Sequence, residues 1–169
     1  MLLKYAQIRD VKIPQRGHAT DAGIDFFIPK FDDDFIKDFE SNEINKEVVL
    51  SNGEIVMPPH TNCLVNSGIK IEIPFGYMGM FANKSGVAAK NGLVLGAHII
   101  DTFYSGELLV DVHNISNKNV ILKEGQKLVQ LILVPILNCD LTEVDENDLY
   151  SWMKDNRFRE SGGFGSTGE

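Results

Sequence analysis

Apolar and polar residues alternate along IKIEIP (69–74), the pattern of a strand with one buried face. YMGMFA (77–82), ELLVDVHN (107–114) and KLVQLILVP (127–135) also read as strands. Turn formers separate them: Pro74-Phe75-Gly76, Ser105-Gly106, Ser116-Asn117 and Glu124-Gly125. IPFGY predicts a tight turn joining two antiparallel strands. Helical spacing is scarce. Phe35, Ile36 and Phe39 predict a short amphipathic helix in DDDFIKDFESNE (32–43). DENDLYSWMKDN (145–156) predicts another, with Leu149, Trp152 and Met153 on one face, and SGVAAKNG (85–92) a helical turn. Many short strands with one or two short helices predict an all-β fold, a jelly-roll-like sandwich or barrel. The pattern predicts one domain over 1–156, with an acidic insertion at about 31–50 read as a solvated surface element. Residues 157–169 form a flexible C-terminal arm: SGGFGSTGE is too glycine-rich to order by itself, and one Phe does not offset that loss.

Composition narrows the function. The chain has 169 residues, 43% hydrophobic, with net charge −8. That charge argues against a nucleic-acid binder with a broad basic face. A small phosphate ligand remains open, because a few cations, turn amides or a metal ion can hold one. No apolar run is long enough to predict a membrane span. MLLKYAQIRD lacks the pattern of a signal peptide. Cys63 and Cys139 lack metal-ligand spacing and read as buried free thiols of a cytoplasmic protein.

Four clusters could carry chemistry. In ATDAGIDFF (19–27), a glycine permits close backbone approach and Asp25 enters an apolar strand, where an acid is ordinarily a cap or an ion-pair partner. In NKSGVAAKNG (83–92), Lys84, Ser85 and Gly86 follow a strand and open a helical turn. That suits phosphate, or a plain helix start. GAHIIDTFYSGELLVDVHN (96–114) places Asp101 on a hairpin as a candidate general base, with Tyr104 offering a flat ring to a sugar or base. An Asx-type turn is the plain alternative. The arm brings Arg159 for phosphate, amides and hydroxyls from Gly165, Ser166 and Thr167, and Phe164 for stacking.

Taken in order, these pieces resemble the trimeric dUTPase family. DAGIDF (21–26), NKSGVAAKNGL (83–93), GAHIIDTFYSGEL (96–108), EGQKLVQLILVP (124–135) and RESGGFGSTG (159–168) resemble its five motifs. The resemblance implies a jelly-roll homotrimer with active sites at subunit junctions and an arm that closes over bound dUTP. It implies Asp101 as the base on the attacking water and Tyr104 as the ring against the deoxyribose. Lys84, Ser85, Gly86, Gln130 and Arg159 take phosphate. Phe164 covers uracil, with Gly165, Ser166 and Thr167 beside it. The hairpin around Gly96, His98 and Ile100 reads uracil through its backbone. Mg²⁺ is the implied cofactor, with Asp25 touching it through water. The products are dUMP and pyrophosphate.

Two residues depart from the family pattern. Lys84 stands where an Arg is usual, and Glu160 where a Gly is usual. A dCTP deaminase of the same fold is the nearest rival, with Asp111 near the position of its catalytic acid. A bifunctional deaminase–dUTPase is a further variant of that reading. A nucleotide-sensing regulatory protein, using 31–50 to bind a protein partner, is the non-enzymatic alternative.

Overall fold

The computed structural model describes residues 2–152. The chain through Leu137 is one compact unit. Its strands are β1 (Lys4–Gln7), β2 (Ile24–Phe27), β3 (Val49–Ser51), β4 (Glu54–Met57), β5 (Asn62–Asn66) and β6 (Ile69–Glu72). They continue as β7 (Tyr77–Asn83), β8 (Leu93–Leu95), β9 (Ile99–Ile100), β10 (Leu109–Asn114), β11 (Val120–Lys123) and β12 (Lys127–Pro135). Helix α1 spans Asp33–Ser41 and α2 spans Ser85–Asn91. The pairing orders are β1-β6, β5-β10-β8, β11-β4-β3 and β2-β12-β7-β9, every pair antiparallel. This is the expected all-β, jelly-roll-like architecture.

Alternation explains the core. β6 buries Ile69 and Ile71 and exposes Lys70 and Glu72. β12 departs from strict alternation: a register shift between Lys127 and Val129 lets Leu128 and Val129 both turn inward. Phe26 and Phe81 meet edge to face, their ring centres 5.4 Å apart. Among the described residues, no helix is long and apolar enough to cross a membrane.

Four expectations change. The IPFGY turn forms, with the Tyr77 N–H donating to Pro74 O at 3.1 Å and Gly76 at φ 81°. It does not join paired strands, however. β6 pairs with β1, while β7 lies between β12 and β9, so the turn carries the chain from one sheet to another. The 31–50 segment is not a solvated element. Phe35 and Phe39 of α1 are fully buried, and Phe31 packs against Phe35 with the rings tilted and their centres 4.9 Å apart. Asp32 caps α1, accepting from the Phe35 N–H. Buried Asn45 accepts from Leu64 N–H at 2.8 Å and donates to Leu64 O at 3.1 Å, completing the backbone bonds of β5. The i, i+4 phenylalanines predicted the helix but also required something to cover them.

The described residues from Asn138 to Trp152 belong to a second unit. Over 138–152 the expected helix reduces to a 3-10 turn at Glu146–Asp148. Leu149 is already extended at ψ 135°, and Tyr150 has φ 59°, so the helical path ends there. Cys63 is buried, and burial raises its thiol pKa to about 12. Cys139 is exposed, contrary to expectation, because it lies in the irregular segment after β12.

Candidate active site

Strand pairing assembles the first group of residues. β2 lies beside β12 with Asp25 opposite Gln130, and Gln130 lies opposite Ala82 of β7. Asp25 is 3% exposed. Its Oδ2 accepts from Lys127 Nζ at 2.7 Å and its Oδ1 from Lys84 Nζ. Burial works against the charged carboxylate, but the two lysines outweigh it and hold the pKa below its ordinary value. The Gln130 amide donates to Asn83 O at 3.0 Å. A Cβ on Gly23 would lie 2.0 Å from Gln130 Oε1, so DAGIDFF needs glycine at that point. Lys84 precedes α2 and makes no side-chain cap bond. Ser85 and Gly86 follow it, both exposed.

The second group lies on the excursion between β8 and β10. β8 pairs with β10, and residues between them swing out so that β9 pairs with β7, Ile100 opposite Gly79. Thr102 donates to Tyr77 O at 2.6 Å, fixing the far end of the excursion. Asp101 is exposed, and among the described residues its carboxylate has no hydrogen-bond partner. With Ile99, Ile100, Tyr104, Leu108 and Leu109 it lines a cavity of about 290 Å³. Tyr104 is half-exposed, and its N–H donates to Asp101 O at 3.2 Å.

The register shows which residues meet within one copy. Ile100 opposite Gly79 puts Asp101 near the start of β7. Lys84 and Ser85 follow its end. Six residues of strand between them correspond to about 20 Å. One chain therefore gathers Asp25, Lys84, Lys127 and Gln130 at one place and Asp101 with Tyr104 at another.

A family model for dUTPase matches residues 48–168. The deoxyuridine 5'-triphosphate nucleotidohydrolase of Candida albicans is 35% identical, over 94% of this chain and 82% of its own. The chain belongs to the dUTPase family. The enzyme of the same name from Clostridium tetani is 30% identical, over 95% of this chain and 91% of its own. Among solved structures, a mutant dUTPase of Staphylococcus bacteriophage 80alpha with dUpNHpp has a TM-score of 0.74 at 22% identity, covering 99% of each chain. A dUTPase from phage phi11 of S. aureus has a TM-score of 0.67 at 24% identity, over 86% of this chain and 97% of its own. These two likenesses concern the fold.

Placing the family motifs on the structure gives the remaining residues their surroundings. His98 is occupied with Phe81: its Nδ1 lies 2.8 Å from Phe81 O, and its own carbonyl accepts from Phe81 N–H at 2.8 Å. Gly96 lies against β10, where a Cβ would come within 2.3 Å of both Asp111 Oδ2 and His113 Nε2. Asp111 Oδ1 lies 3.1 Å from His113 Nε2, yet it is buried without a properly aligned hydrogen bond. That places Asp111 under the excursion and not among the residues that line the cavity. Arg159, Phe164, Gly165, Ser166 and Thr167 lie outside the described residues.

Metal ligation is tested by the donor set. Among the described residues, no three His, Cys, Asp or Glu side chains gather to form a metal site. Both Asp25 oxygens already accept from lysine, so the carboxylate is compatible with an outer-sphere contact and not with direct coordination. The sequence reading missed Lys127. Its signal was indirect: a buried carboxylate needs cationic partners, but only the β2–β12 register says which.

Proposed function

We propose that this chain hydrolyses dUTP to dUMP and pyrophosphate as a homotrimer whose sites draw on more than one copy. The observation that carries the reading is Asp101, a carboxylate without a partner among the described residues, beside Tyr104 in a cavity shared with Ile99, Ile100, Leu108 and Leu109. An exposed acid with free acceptor oxygens, on a backbone closed by the Tyr104 N–H, suits a general base on water. Asp101 orients the water and takes its proton as it attacks the α-phosphorus. Tyr104 lies against the deoxyribose and crowds the place of a 2′-hydroxyl. Backbone groups of the Gly96–Ile100 excursion read uracil; cytosine, with donor and acceptor exchanged, leaves buried groups unpaired.

Ser85, Gly86 and Gln130 of another copy, with Lys84, hold the phosphates. Lys84 supplies a point charge where the family's usual arginine supplies a fork. Arg159, Phe164, Gly165, Ser166 and Thr167 complete the site over phosphate and base. Asp25 would hold Mg²⁺ only through water, since lysines occupy both its oxygens, and the ion would supply charge neutralisation for the leaving group.

The test offers dUTP, dCTP, UTP and dTTP separately with Mg²⁺ and follows nucleotide and pyrophosphate by chromatography. dUMP and pyrophosphate from dUTP alone are expected, with Asp101→Asn slower by about 10²–10⁴-fold. Conversion of dCTP to a uracil nucleotide would replace this reading with a deaminase and make Asp111 the residue to change. Nucleotide binding without turnover would leave a sensor.

A further inference from the structure

We propose that Glu107 is the positioning residue for Tyr104, and so sets how strongly the site rejects a 2′-hydroxyl. This rests on the dUTPase reading above. The Glu107 side chain is 12% exposed and its carboxylate is fully engaged. Oε1 accepts from Arg9 Nε at 2.9 Å and from the Gly68 N–H at 2.7 Å. Oε2 accepts from Arg9 Nη2 at 2.9 Å and from Asn66 Nδ2 at 2.9 Å. Four donors on two oxygens, two from one planar fork, fix a carboxylate as firmly as side-chain chemistry permits. The Glu107 backbone is fixed with it.

That backbone holds the ring. Tyr104 Oη donates to Glu107 O at 3.0 Å. The ring end passes so close to Gly106 that a Cβ there would lie 2.5 Å from the hydroxyl. Phe103, just before Tyr104, sits at φ 70°, a conformation disfavoured for a bulky residue and retained only where its neighbours are held. Tyr104 is too exposed for packing to orient it. One hydroxyl bond to a fixed carbonyl does so instead. Arg9 also pairs with Asp38 of α1, so a contact path runs from α1 through Arg9 and Glu107 to the ring at the cavity.

The readout is the ratio of kcat/KM for dUTP to that for UTP, which a merely structural role leaves unchanged. It is measured in wild type, Tyr104→Phe, Glu107→Gln, the double variant and Arg9→Lys, with thermal unfolding alongside. Glu107→Gln and Tyr104→Phe should each lower the ratio by about 10-fold, the scale of one lost hydrogen bond. The double variant should lower it no further than either single one, because both act through the same bond. Arg9→Lys, which keeps the charge and loses the fork, should fall between wild type and Glu107→Gln. Effects that multiply in the double variant overturn the inference. So does a wild-type ratio in Tyr104→Phe, which removes only an exposed hydroxyl and keeps the test available if Glu107→Gln does not fold. Wild-type protein inactive on dUTP overturns the dUTPase reading, and this inference with it. An active wild type with unchanged ratios in the variants overturns this inference alone.

Discussion

Asp101 and Ser85 sit beside opposite ends of β7, about 20 Å apart along the strand. A water activated at Asp101 cannot attack a phosphate held by Ser85 of the same chain at that separation. If both serve one reaction, they come from different copies, and two dead variants can repair each other. Asp101→Asn alone should lose about 10²–10⁴-fold in kcat. Ser85→Ala alone should lose up to about 10²-fold, through one donor to developing charge. In oligomers mixed at random from equal amounts, a site is intact when its Asp101 comes from the Ser85→Ala chain and its Ser85 from the Asp101→Asn chain. That is about one quarter of sites in any closed ring with head-to-tail interfaces. The assay refolds the two variants together under different affinity tags, confirms mixed oligomers by sequential capture, and measures pyrophosphate release from dUTP. Recovery to about a quarter of wild-type activity is expected. Activity no higher than the average of the parents, in confirmed mixtures, would refute the divided site.

Phe35→Ala should destabilise the protein by about 3–5 kcal/mol, because the ring is fully buried in the 31–50 segment; chemical unfolding at fixed protomer concentration checks this. An effect below about 1 kcal/mol would mean that the segment is surface decoration after all. Asp25 has a lowered folded-state pKa, so its stabilisation is present above the ordinary carboxylate value and lost as pH falls through the lower, folded value. Asp25→Asn should therefore cost about 1–3 kcal/mol near neutrality, less than a fully buried pair because both lysines reach solvent, and the cost should shrink as unfolding is measured at more acidic pH. A thiol reagent should label Cys139 quickly in native protein and Cys63 only after unfolding, since burial holds the Cys63 thiol protonated. Gly23→Ala should displace the Gln130 side chain and raise KM for dUTP more than it lowers thermal stability.

Much of this was legible in the chain, because strands announce themselves by alternation. β6, β7, β10 and β12 fall within a few residues of where IKIEIP, YMGMFA, ELLVDVHN and KLVQLILVP put them. What alternation does not encode is the partner. IPFGY has the residues of a hairpin turn, yet β6 and β7 take other neighbours, since pairing depends on which buried faces fit across the whole sheet. The same limit hid Lys127 from Asp25 and Arg9 from Glu107, residues 102 and 98 positions apart in sequence. Asp101 and Tyr104 were easier, because their geometry is local: three residues on one excursion, closed by a backbone bond. The 31–50 segment misled because its charge was counted before its phenylalanines. Six acids between residues 32 and 43 suggest solvent, but Phe35 and Phe39 decide which face turns inward.

The electrostatics lead to the same divided site as the distances do. A chain of net charge −8 repels a triphosphate unless cations are concentrated locally. The group around Asp25, proposed above to lie on the phosphate side, pairs two lysines with one buried carboxylate, a surplus of one positive charge among these three. That is too little for the several charges of dUTP. If dUTP is the substrate, as proposed, further positive charge has to come from Arg159, a second copy or a divalent ion on the phosphates. Lys84 and Lys127 both pair with Asp25, so on the proposed reading nucleotide competes with that carboxylate for them. Affinity for dUTP should accordingly depend more steeply on Mg²⁺ and on Arg159 than on Lys84. Titrating binding of a non-hydrolysable dUTP analogue in Lys84→Met and Arg159→Met, with and without Mg²⁺, orders the three contributions; a Lys84→Met loss larger than the other two would show that Asp25 does not hold the lysine back.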